Sequence, residues 1–88
     1  MKKITMFYLT TCPHCQRAFG WMEEAIKENP RYGEIEIEKI EESQQPEIAD
    51  AMDYYYVPTY YIDGKKVHEG IASLEIVKNV FDQALAED

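Results

Sequence analysis

Both cysteines of this 88-residue chain stand in one pentapeptide, Thr11-Cys12-Pro13-His14-Cys15, where an apolar, β-prone run from Ile4 to Leu9 gives way to a helical pattern. Two thiols with two residues between them, at a strand-to-helix junction, can close into a disulfide and reopen with little movement of the surrounding chain. The helix start supplies the reactivity. With Cys12 at or next to the N-cap and Pro13 at the first helical position, the proline contributes a pre-set φ and lacks an N–H that would have been unpaired in any case. The unpaired amides of the first turn then point at the Cys12 sulfur, and the positive end of the helix dipole favours its thiolate. Cys12 is therefore the candidate nucleophile. Cys15, one turn into the helix and more buried, is expected to stay a thiol until it attacks the mixed disulfide formed at Cys12. His14, between them, is expected to favour the Cys12 thiolate further. The reduced form gains that stability, so the disulfide becomes more oxidising.

Two other uses of the pair compete with this one. A structural staple closing a loop of about four residues removes only about 2 kcal/mol of unfolded-state entropy, against about 3 for a fifteen-residue loop. Half of a zinc site is the other, since the same spacing binds metal. A closed zinc site takes four ligands, and the only histidines available to join the cysteines are His14 and His68. No residue is assigned to a metal on these grounds. His68, without a second ligand in reach, reads as a solvent-facing strand residue.

The length suits one domain spanning residues 1–88, with a modest core that needs no staple. A net charge of −8 argues against nucleic acid and anionic membrane surfaces as partners. Met1-Lys2-Lys3 followed by Ile4 to Leu9 has the look of a signal peptide, but the apolar run is short, no small-residue cleavage site follows, and the cysteines come at once. It reads as a first strand. The expected location is cytoplasmic, where a lone cysteine pair is catalytic or metal-binding rather than structural, and the chain is expected to act as a monomer.

Ile4 to Leu9 is apolar or β-prone on both faces, the pattern of a central strand. From Pro13 to about Asn29, Cys15, Ala18, Phe19, Met22, Ala25 and Ile26 recur at helical spacing with Arg17, Glu23, Glu24 and Lys27 opposite. Gly20 interrupts this helix, as if to let it approach a strand closely. Asn29-Pro30-Arg31-Tyr32-Gly33 ends it. Glu34 to Glu42 alternates isoleucines with glutamates, an edge strand with one wet side, and the strand–helix–strand order implies a parallel pair with a right-handed crossover. Ser43 to about Met52 is a short helix capped by Ser43, with Pro46 in its first turn. Asp63-Gly64, between Thr59-Tyr60-Tyr61-Ile62 and Lys65-Lys66-Val67-His68, is a two-residue hairpin signal. After Gly70, Ser73 caps a final amphipathic helix carrying Leu74, Val77, Val80, Phe81 and Leu85.

A Cys-x-x-Cys at the end of the first strand, Val57-Pro58-Thr59 before a hairpin, Gly70 after it and a closing helix together resemble the thioredoxin superfamily. The short chain, without an extra leading strand and helix, looks most like glutaredoxin. The resemblance implies a thioredoxin-like, glutaredoxin-type α/β fold, βαβαββα, with a four-stranded mixed sheet ordered second, first, third, fourth and helices on both faces. It also implies a cis Val57–Pro58 peptide lying against Cys12, with Thr11, Val57, Pro58 and Thr59 as substrate-binding candidates and Val57 offering its backbone to the substrate. Without the resemblance, Pro58 reads as the start of an edge strand.

Departures from the relatives carry information. Glutathione-binding members have a basic residue where Leu9 stands, and Gly-Gly followed by acidic residues where this chain has Glu69-Gly70-Ile71-Ala72-Ser73, which weakens glutathione as a co-substrate. Thioredoxin's tryptophan before the first cysteine is Thr11 here, and its buried aspartate is Met6. Cys-Pro-His-Cys resembles the motif of periplasmic disulfide oxidants, which implies a potential more oxidising than thioredoxin's roughly −270 mV. Tyr54, Tyr55, Tyr56, Tyr60 and Tyr61 either form an aromatic lip beside the site or pack in the ordinary way, Tyr60 and Tyr61 across a strand and the triplet over the second helix. The expected function is dithiol–disulfide exchange with protein or small-molecule disulfides, with a reductase or glutathione as electron source and no bound cofactor. The alternative is a metal or iron–sulfur carrier using Cys12 across a dimer.

Overall fold

A computed structural model describes residues 2–86; Met1, Glu87 and Asp88, the ends of the expected 1–88 domain, lie outside the described residues. The first strand, β1, is Ile4–Tyr8. It sits between two others, as its two apolar faces require: the sheet order is β2-β1-β3-β4, with β2 Ile37–Glu41, β3 Thr59–Ile62 and β4 Lys65–Glu69. β2 runs parallel to β1, Ile4 facing Ile37 and Tyr8 facing Glu41, while β3 runs antiparallel to it, Ile4 facing Ile62 and Phe7 facing Thr59. The β3–β4 hairpin turns at Asp63 and Gly64, both at positive φ (50° and 85°), as a tight turn of this kind needs. Its register shifts between Tyr60 and Tyr61, which face His68 and Lys66 and leave Val67 as the extra residue of a bulge.

Three helices cover the sheet. α1, Pro13–Glu28, buries Cys15, Ala18, Met22 and Ala25. α3, Leu74–Leu85, buries Val77, Val80, Phe81 and Ala84 and is capped by the Ser73 hydroxyl, which accepts the Ile76 N–H at 3.1 Å. Both lie on the face where Ile4, Met6, Tyr60 and Ile62 point. The other face carries Phe7, Ile40 and Tyr61, packed under Ala49, Met52 and Tyr54 from the region of α2, Pro46–Asp50. Tyr60 and Tyr61 thus serve opposite cores, as alternation across a strand dictates.

Four local expectations need correction. Gly20 is exposed, and a Cβ built on it meets nothing within 4 Å, so no close approach explains it. β2 begins at Ile37, preceded by a 3-10 turn, Pro30–Glu34, and a short link; Ile35 is buried ahead of the strand. α2 is one short turn starting at Pro46 behind Gln45, and Ser43 does not cap it: its N–H and hydroxyl both go to the Glu41 carboxylate. Of the tyrosine triplet only Tyr54 packs inward, 5.0 Å from the Phe7 ring, while Tyr55 and Tyr56 are 87% and 70% exposed.

Candidate active site

The cysteine pair lies where the C-terminal end of β1 passes into α1. Cys12 is the N-cap residue, with extended backbone (φ −87°, ψ 116°), and Pro13 follows at the start of the helix. The Cys12 N–H donates to the Leu9 carbonyl at 3.1 Å, and the Cys12 carbonyl accepts from Cys15 and Gln16 at 3.1 and 3.2 Å. No side chain caps this helix end; with Pro13 lacking an N–H and the Cys15 and Gln16 amides on the Cys12 carbonyl, the His14 N–H is the amide of the first turn left for the half-buried Cys12 sulfur, fewer than the sequence suggested. The chain describes a pair of free thiols, and Cys15 is fully buried one turn on. Burial is the main reason its thiol is pushed up to about 12; the neighbouring Cys12 thiol adds to the effect, and a hydrogen bond with the Leu9 backbone opposes it. Cys12 is thus the accessible sulfur and Cys15 the protonated one behind it.

The second half of the site comes from the antiparallel neighbour. The Val57–Pro58 peptide is cis, and the Cys12 thiol faces the Val57 carbonyl at 3.9 Å, a weak thiol-to-carbonyl hydrogen bond. Pro58 is buried, and its carbonyl accepts the Gly70 N–H at 2.9 Å, with Gly70 at φ 96°. Thr59 is buried as well and its hydroxyl donates to the Tyr56 carbonyl, so it shapes the loop from within. The structure therefore brings Cys12, Pro13, Cys15, Val57 and Pro58 together, with Thr11 exposed beside them and Thr59 turned away from solvent. Tyr55, Tyr56 and Ile71 stand exposed on the two loops that flank them.

Both histidines have hydrogen-bonding neighbours. His14 Nδ1 lies 3.4 Å from the Arg17 guanidinium, which can only donate; Nδ1 must accept, and the ring proton of a neutral His14 belongs on Nε2. His68 is half-buried rather than solvent-facing. Its Nε2 lies 3.1 and 3.0 Å from the Gly70 and Ile71 carbonyls, so it holds the loop after β4 as a donor. Among the described residues, no three His, Cys, Asp or Glu side chains converge on a point that could hold a metal ion.

Two carboxylates that the sequence did not single out frame the site. Glu41, the last residue of β2 and only 6% exposed, accepts hydrogen bonds from the N–H and hydroxyl of Thr10 (3.1 and 2.8 Å) and of Ser43 (both 2.6 Å). Those bonds, Ser43 first, hold its carboxyl down at about 2. On the opposite edge strand, Glu69 takes the Tyr55 and Tyr56 N–H groups at 2.6 and 3.0 Å and pairs with Lys66 at 2.7 Å. Lys66 first, then those amides, hold it at about 2 as well. Glu41 thereby ties down the loop before Cys12, and Glu69 the loop before Pro58.

With this geometry in view, the comparisons with known proteins agree on one fold. The family described as "Thioredoxin domain" matches residues 2–82. Oxidised thioredoxin from Plasmodium falciparum superposes with a TM-score of 0.73 at 22% identity, covering 97% of this chain and 82% of its own. A mutant thioredoxin from Halobacterium salinarum does so at 0.71 and 21%, covering 99% and 77%. Oxidised mitochondrial thioredoxin 3 from Saccharomyces cerevisiae gives 0.71 and 21%, covering 93% and 77%. No curated protein sequence matches the chain.

Proposed function

The chain belongs to the thioredoxin-domain family, and on that footing we propose that it is a dithiol–disulfide oxidoreductase working through Cys12-Pro13-His14-Cys15. The Cys12 thiolate attacks one sulfur of a substrate disulfide; a Cys12–substrate bond forms and the other substrate sulfur leaves as a thiolate. Cys15 then gives up its proton and attacks the Cys12 sulfur, which releases the second substrate thiolate and leaves a Cys12–Cys15 disulfide. Two electrons have passed to the substrate, and an external dithiol returns the pair to its reduced form. The observation that carries this reading is the division between the sulfurs: a half-buried Cys12 at an uncapped helix start, facing the Val57 carbonyl, and a fully buried Cys15 behind it.

The Val57 backbone lies beside the nucleophile, which suits a cysteine-bearing segment of polypeptide laid across it. Leu9 and Glu69, at the positions where glutathione would need positive charge and a free glycine turn, favour a reductase over glutathione as electron donor. Glu69 is further committed to the Tyr55 and Tyr56 amides. In a reducing compartment such as the cytoplasm the dithiol is the resting form.

The test is the Cys12–Cys15 equilibrium in graded glutathione buffers, read by trapping free thiols and weighing the protein. The expected result is a single two-electron transition with one disulfide per chain and no lasting glutathione adduct, at a potential above thioredoxin's roughly −270 mV. A chain in which no intramolecular disulfide forms anywhere in the range would refute the dithiol mechanism.

A further inference from the structure

The residue that delivers Cys12 to its place lies in another strand. Tyr8, the end of β1, is paired with Glu41, the end of β2, so the Glu41 side chain is carried to the start of the loop Leu9–Thr11. That loop has little freedom of its own. Cys12 N–H closes it onto the Leu9 carbonyl at 3.1 Å, and Gln16 Nε2, from α1, donates to the Thr10 carbonyl at 3.0 Å. The remaining polar groups of Thr10, its N–H and its hydroxyl, both go to Glu41 Oε2. The other oxygen, Oε1, takes the N–H and hydroxyl of Ser43 in the direction of α2.

The chemistry of this site calls for a carboxylate. Each oxygen faces two donors, and only an acceptor-only group satisfies all of them; a carboxamide would turn its NH2 toward two N–H or O–H groups. The bonds to a charged acceptor are also the stronger kind. We propose that Glu41 is a positioning residue for the nucleophile: acting through Thr10, it holds the Leu9–Thr11 loop so that Cys12 stands at the helix start facing the Val57 carbonyl, and it thereby sets the rate of the first thiol–disulfide exchange. The inference rests on the redox reading above.

Because the same carboxylate has two arms, one toward Cys12 and one toward α2, positioning can be separated from simple stabilisation. Thr10→Val removes a hydroxyl donor from the first arm, and Ser43→Ala removes one from the second. The experiment measures, in the otherwise native reduced chain, the second-order rate constant for release of the first aryl thiolate from a chromogenic aryl disulfide, with urea midpoints measured beside it. Both variants are expected to lose similar stability. Thr10→Val is expected to react about three- to tenfold more slowly, the worth of one such hydrogen bond expressed in the rate, while Ser43→Ala keeps the native rate. Equal rates in the two variants, whether both fall or neither does, would overturn the proposal. An unreactive native chain would refute the redox reading itself, and the inference with it.

Discussion

Selective alkylation is the sharpest check on the division of labour between the sulfurs. At pH 8 a thiol with the ordinary value of 9.0 is about one-tenth ionised, whereas Cys15, pushed up to about 12, is ionised about once in ten thousand molecules, a loss of about a thousandfold. Its thiolate is the better nucleophile for having the higher value. A Brønsted slope of about 0.4–0.5 recovers about 15- to 30-fold over those three units. Cys15 should therefore react about 30- to 60-fold more slowly than an ordinary thiol before access is considered, and its complete burial slows it further. Reduced protein treated with iodoacetamide at pH 8 and weighed over time should stop at one label per chain, mapped to Cys12. A Cys12→Ser variant isolates the other sulfur: its remaining thiol should be at least about thirtyfold slower in native buffer than in denaturing urea. A native rate within threefold of the denatured one, about what an ordinary exposed thiol would show, would refute the argument.

Two predictions concern the scaffold. Replacing Gly20, exposed in mid-helix with open space where a Cβ would go, by alanine should stabilise the protein by about 1 kcal/mol, visible as a rise in thermal midpoint of about 4–8 °C for a domain of this size; no rise would mean that the glycine has a packing role. Glu41 and Glu69 are both held at about 2 in the folded chain against an ordinary 4.5, so the unfolded chain binds more protons between those values. Their contribution is complete above about pH 4.5 and fades as pH falls toward 2; urea midpoints should fall over that window, and fall less in a Glu41→Gln, Glu69→Gln double variant.

What could be read from the sequence was whatever local chemistry decides. Proline after Cys12 marks a helix start, Asp63-Gly64 marks a turn needing positive φ, and Ser73 marks a cap, and each does so in the structure. The sheet order and the cis peptide came through resemblance, since no single segment encodes either. Glu41 escaped because its role is not local. In the run from Glu34 to Glu42 every glutamate looks like a wet-edge charge, and what turns one of them inward is the pairing of β2 with β1 and a threonine 31 positions away. Ser43 leaves its expected capping place for the same reason, its donors being drawn to that carboxylate instead of to the next helix. Tyr55 and Tyr56 could not be told from Tyr54 by composition. The difference is made by Glu69, which fixes their backbone and leaves their rings in solvent.

The contact between Cys12 and Val57 spans 45 residues and depends on β3 docking against β1. Cys12 belongs to a segment made early in synthesis, whereas the loop carrying Val57 is made later and brought to it by sheet pairing. Loss of the β3–β4 hairpin would keep both cysteines and remove what holds the Val57 loop against them. The facing of Cys12 and Val57 is thus a property of the complete sheet and of neither segment alone.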